Sequence, residues 1–126
     1  MRTVEEQSNQ AFGAYLRERR ETLQQGDRSY SLRQVAERIG IQPSYLSQVE
    51  RGRAASLPSE ETLGRLAEEL GEDRDVLLAM AGKVSQELKE VILRRPQLFA
   101  QLLRQLRDAP DAAVLRVVRE VTDGEW

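Results

Sequence analysis

The sequence predicts an all-α fold: five short helices over residues 10–82 and a helical C-terminal element over residues 83–126. Three observations carry that prediction. Apolar residues recur three and four positions apart in separate stretches, the spacing that lines one face of a helix. Helix-starting residues, Ser31 and Ser59 among them, stand before these stretches, and glycines stand after them at Gly40, Gly71 and Gly82. Beyond Lys83 the pattern changes to wide apolar stripes, broken by Arg95-Pro96 and by Asp108 to Asp111.

Residues 1–9 are polar without periodicity and read as a flexible N-terminus. The first helix is expected from Gln10 to Gln24, with Phe12, Leu16 and Leu23 inward and Arg17, Glu18 and Glu21 solvated. Gly26 and Asp27 then signal a loop that reaches Tyr30. Ser31 caps the second helix, with Gln34 placed to reach back to it and Tyr30 placed to staple onto Val35. Val35, Ala36 and Ile39 form its inner face, and Ala36 is small enough for another helix to cross closely. Gly40 falls where the helix must stop and the backbone needs positive φ. Pro43 suits the first turn of a third helix over residues 43–51, where a missing N–H costs nothing.

In that third helix Leu46 and Val49 point inward, three apart. Pro43, Ser44, Ser47, Gln48 and Arg51 are left on or near the opposite face, which carries hydrogen-bonding groups and no apolar purpose. Residues 53–58 lack periodicity and end in proline, so they read as a loop. Ser59 caps a fourth helix, with Glu60 and Glu61 in the first turn where the helix dipole favours acids and Leu63, Leu66, Ala67 and Leu70 as the buried stripe. A fifth, from about Asp73 to Ala81, brings Val76, Leu77, Leu78 and Met80.

The spacing of Ala36, Gly40, Leu46 and Val49, followed by Glu50-Arg51-Gly52, resembles the helix-turn-helix of the Cro and C1 phage-repressor family, also called the XRE family. The resemblance covers about residues 10–82 and implies a five-helix, lambda-repressor-like DNA-binding domain. It implies that Pro43, Ser44 and Gln48 read bases, and it pairs Arg20 with Glu50, tying the first helix to the presented one. The amide of Gln48 suits adenine, whose N6 and N7 it can contact together. Ser47, a short hydroxyl like Ser44, joins the base-reading set, with a phosphate contact as the alternative for both. Arg33, Arg51 and Arg53 are phosphate candidates; Arg28 is either a phosphate contact from the loop or a surface arginine. Tyr45 either reaches a phosphate or wedges beneath the first helix. The family often has glutamine one residue after the cap, where this chain has Leu32; Arg33 or Gln34 is then expected to substitute in phosphate contact.

Composition narrows the alternatives. The 126 residues carry a net charge of −2 and contain no cysteine and no histidine, so disulfides, thiolates and the commonest metal ligand are absent. No nucleophile with an adjacent base is evident, and no enzyme activity, cofactor or metal is expected. No apolar run approaches the length of a membrane span, so no membrane partner is expected. From Arg17 to Arg53 eight arginines face five acids, a net of +3, while Pro58 to Asp75 holds seven acids and two arginines, a net of −5. The basic part coincides with the helix-turn-helix, and the acidic part is expected to turn away from phosphate or to steer docking.

In the C-terminal region, Leu88, Val91 and Ile92 form one stripe, Leu98, Phe99, Leu102, Leu103 and Leu106 a second, and Val114, Leu115, Val117, Val118 and Val121 a third. The second and third span a wider arc than one small hairpin can hide on itself. They are read as a dimerisation element built on Leu98, Phe99, Leu102, Leu103, Leu106, Val114, Val117, Val118 and Val121; the alternative is packing on the fourth and fifth helices. With the resemblance, these features imply a homodimeric repressor of double-stranded DNA with an inverted-repeat operator, cytoplasmic in a bacterium or of phage origin. A competing reading is an antitoxin-like module whose tail captures a partner protein, with DNA binding for autoregulation. In some similar short regulators a separate zinc peptidase cuts the tail; by that analogy a cut near Leu102 to Asp111 releases DNA.

Overall fold

The computed structural model describes residues 3–126, and every regular element among them is helical. The chain divides after Ser85 into two units. Thr3 opens the first helix, α1 (Val4–Gly26), with a reciprocal cap: its hydroxyl accepts from the Glu6 N–H at 3.1 Å and the Glu6 carboxylate accepts from the Thr3 N–H at 3.2 Å. This moves the start from the expected Gln10 to Val4 and makes Val4 to Asn9 helical. That first turn is solvent-exposed, so it has no apolar periodicity to read; its signal is the Thr-x-x-Glu spacing. Met1 and Arg2, also expected to be flexible, lie outside the described residues.

Asp27 ends α1 and caps a 3₁₀ turn, Arg28–Tyr30, by accepting from the Ser29 N–H at 2.9 Å. Those hydrogen bonds from Ser29 hold the Asp27 carboxyl below the ordinary carboxylate range. Next come α2 (Leu32–Ile39) and α3 (Pro43–Glu50), joined through Gly40 at φ 79°. Ser31 caps α2 by accepting from the Gln34 N–H at 3.3 Å. The reciprocal half of the expected capping box does not form, because the Ser31 N–H is used by the Arg28 carbonyl.

Ser59 and Asp73 cap α4 (Glu60–Leu70) and α5 (Arg74–Met80). The core joins Phe12 and Leu16 of α1, Val35, Ala36 and Ile39 of α2, Leu46 and Val49 of α3, Leu63, Leu66, Ala67 and Leu70 of α4, and Leu77 and Leu78 of α5. Every one of these is at most 2% exposed. Val76 points outward instead, since Leu77 and Leu78 already fill the inner face of so short a helix.

At Gly13 the backbone of α1 crosses the end of α3 so closely that a methyl group there would lie 2.6 Å from the Glu50 carbonyl oxygen. Gly52, at φ 70°, is likewise pressed against Gln10 of α1.

The second unit holds α6 (Gln86–Arg94), α7 (Pro96–Leu106) and α8 (Asp111–Asp123). Arg95 leaves the helical region at φ −139° and ψ 60°, the expected consequence of a following proline. None of these three helices buries a residue fully. Leu98, Leu103, Leu115, Val118 and Val121 are more than half exposed, while Phe99, Leu106, Val114 and Val117 are half-buried. No helix among the described residues is long and apolar enough to cross a membrane.

Candidate nucleic-acid interface

The orientation of α3 follows from its two anchors. Leu46 and Val49 are held in the core, at 1% and 0% exposure, so the opposite face must look outward. Ser44 and Gln48 are exposed there, with Pro43 and Ser47 partly so, and neither Gln48 nor Ser44 has a side-chain partner among the described residues. Gln42 opens the helix without a side-chain cap.

The base of α3 is locked electrostatically. Glu50 accepts from Arg20 Nε at 2.8 Å and from Nη2 at 2.9 Å, a two-point pair whose side chains are 4% and 8% exposed. Such a fork fixes angle as well as distance. Arg20 also donates to the Tyr30 carbonyl at 3.2 Å and to Gln24 Oε1 at 3.3 Å, so one guanidinium joins α1, α3 and the turn before α2. The hydrogen bond to Glu50 raises the affinity of Arg20 for its proton above the ordinary value, against the opposing effect of burial.

The arginines divide into two sets. Arg19 pairs with Glu72 at 3.1 Å and Arg38 with Glu69 at 2.8 Å, while Arg65 and Arg74 pair with Glu61 and Glu60. Arg38 also donates to the Ser29 carbonyl and lies 5.3 Å from the centre of the Tyr30 ring. The acidic segment therefore largely neutralises arginines, two of them in the basic segment. In contrast, Arg28, Arg33, Arg51 and Arg53 are exposed and form no ion pair among the described residues. Along the chain, Arg28 and Arg33 lie before and at the start of α2, and Arg51 and Arg53 just past the end of α3.

Two of the phosphate candidates, Tyr45 and Gln34, have hydrogen-bond partners within the N-terminal unit. The Tyr45 hydroxyl donates to the Ser56 carbonyl at 2.7 Å and its ring packs on the core, which commits its proton to the loop after α3. Burial pushes its phenol pKa up, so the donor form is retained. The Gln34 amide, oriented with its nitrogen inward, donates to the Arg28 and Ser29 carbonyls at 3.0 and 3.2 Å. It fastens the 3₁₀ turn to α2. Local carbonyls of the loop and the turn thus accept from both side chains.

Sequence reasoning missed the two glycine contacts. Gly13 stands between Phe12 and Leu16 on the core-facing side of α1, and a glycine inside an otherwise periodic helix was the available signal. Nothing in the sequence pointed to Gln10 as the partner of Gly52. Among the described residues no group of three or more His, Cys, Asp or Glu side chains is arranged to hold a metal ion.

Comparison with known proteins agrees with this geometry. Two proteins from two strains of Mycobacterium tuberculosis, each described as an uncharacterised HTH-type transcriptional regulator, are 41% identical to this chain over 70 residues. The match covers 56% of this chain and 45% of each relative, so the chain spans less than half the length of the relatives it resembles. No solved structure matches. The family described as "Helix-turn-helix domain" matches residues 11–80, from the helix that braces α3 to the end of α5. The outward face of α3 and the glycine turn before it thus sit within the matched region, and the chain belongs to the helix-turn-helix domain family.

Proposed function

We propose that this protein is a sequence-specific, DNA-binding transcriptional regulator of the Cro/C1 type, acting as a dimeric repressor on an inverted-repeat operator. The observation that carries the reading is the outward polar face of α3, in a helix-turn-helix segment that also holds four exposed arginines without ion-pair partners. Such a surface combines short hydrogen-bonding side chains for base edges with cations for phosphates, and the phosphate contacts set register without reading sequence. Gln48 is the principal base reader, with Ser44, Ser47 and the apolar edge of Pro43 beside it. Arg28, Arg33, Arg51 and Arg53 take phosphates. The relatives' description as transcriptional regulators supports the same reading.

Dimerisation is assigned to the second unit. Leu98, Leu103, Val118 and Val121 expose apolar surface there at 55% or more, which a second copy would remove from water. Two α3 helices about 34 Å apart then enter successive major grooves. Replacing Leu103 and Val118 together by glutamate is expected to convert the dimer to monomer by sedimentation and to abolish cooperative binding to a two-half-site duplex. A wild-type chain sedimenting as a monomer would overturn the assignment. The same exposed stripes suit capture of a different protein, the antitoxin-like reading, and a stable monomer that pulls down one partner would favour it.

The decisive experiment is selection from a random duplex library at near-physiological salt. Enrichment of an inverted repeat with half-sites about one helical turn apart is expected; weak, salt-sensitive binding with no enriched sequence would overturn specific readout. On the enriched site Gln48→Ala is expected to cost about 1 to 3 kcal/mol and to leave binding to unrelated DNA nearly unchanged. Arg51→Ala should weaken all sequences alike and lower the salt slope by about one unit per contact.

A further inference from the structure

A cleft of about 120 Å³ opens where three elements meet, lined by Arg17 and Arg20 of α1, Leu32 of α2, and Ser47, Glu50 and Arg51 at the end of α3. Its volume is roughly that of four waters, at about 30 Å³ each, which is room for one tetrahedral oxyanion. The Glu50 carboxylate in its wall is already neutralised by the two-point pair with Arg20. That leaves two further guanidiniums, Arg17 and Arg51, and the Ser47 hydroxyl at the rim. The local balance around the cleft is cationic, and every charged group lining it except Glu50 is an arginine.

We infer that this cleft is a phosphate seat in which Arg17, from the first helix, contacts the DNA backbone together with Arg51. The inference rests on the DNA-binding reading above and extends the contact surface beyond the helix-turn-helix to α1. Arg17 is held meanwhile by Glu21 at 3.0 Å, one helical turn further on. Both side chains of that pair are more than half exposed, at 58% and 51%, and an exposed pair of this kind is weak. A phosphate entering the cleft exchanges it for a partner that Arg51 and Ser47 also engage. Glu21 then acts as a competitor for Arg17, and a carboxylate close to the incoming phosphate.

The test measures binding of the full chain to two labelled duplexes, the library-selected site and a scrambled one, across a salt series. Arg17→Ala is expected to weaken both duplexes by the same factor, roughly three- to tenfold, and to lower the salt slope by about 0.9 per contact. Arg17→Lys should retain most of the slope, and Glu21→Gln should tighten both duplexes. Arg17 is exposed, so an unchanged melting temperature checks that the variants are folded. Wild-type binding with an unchanged slope in Arg17→Ala overturns this assignment while leaving the DNA-binding reading intact. Wild-type protein that binds neither duplex overturns both.

Discussion

Glu50→Ala is expected to destabilise the N-terminal unit by about 3 to 5 kcal/mol, because it leaves the Arg20 guanidinium buried without its counter-charge. The two side chains are 8% and 4% exposed, so water cannot take the place of the lost carboxylate without opening the junction of α1 and α3. Urea unfolding followed by helical circular dichroism measures the loss. A double replacement, Arg20→Met with Glu50→Leu, should recover a large part of it, since an apolar pair of similar volume avoids the desolvation that the ion pair must offset. Recovery should remain incomplete, because Arg20 also satisfies the Tyr30 carbonyl. A single variant as stable as the wild type would show that the pair is solvated and does not orient α3.

Gly13→Ala is expected to cost about 3 kcal/mol, the upper end for overpacking, since what it meets is backbone that cannot rotate away. The added methyl would fall 2.6 Å from the Glu50 carbonyl oxygen and closer still to that of Val49. Relief requires α1 and α3 to separate, which would also lengthen the Arg20 to Glu50 contacts and tilt the face carrying Gln48. Gly26→Ala, at the other end of the same helix, supplies the control. Nothing lies within 4 Å of a methyl there, its φ is not positive, and alanine is the better helix former. That variant should be neutral or slightly stabilised. Equal melting temperatures for the two variants would refute the close crossing.

Much of the N-terminal unit was legible because its signals are local. The apolar stripes of α2 and α4, the serine caps at Ser31 and Ser59 and the glycine stop at Gly40 all act within one or two turns of chain. The start of α1 was legible in principle but overlooked, since its evidence was the capping pair Thr3 and Glu6 and not a buried face. In the second unit the break at Arg95-Pro96 followed from the steric rule for residues before proline.

The sequence by itself determined which stretches become helices, which residues of α3 must face inward, and hence that Ser44 and Gln48 face outward. It also placed more arginines than acids around that face. Only the tertiary structure decided which of those arginines stay available. Arg19 and Arg38 are matched with Glu72 and Glu69, partners more than 30 residues away, while Tyr45 and Gln34 give their donors to carbonyls of the neighbouring loop and turn. The physical reason is that helical periodicity is a property of neighbouring residues, whereas neutralising a charge or satisfying a donor depends on groups that folding brings within about 3 Å from anywhere in the chain.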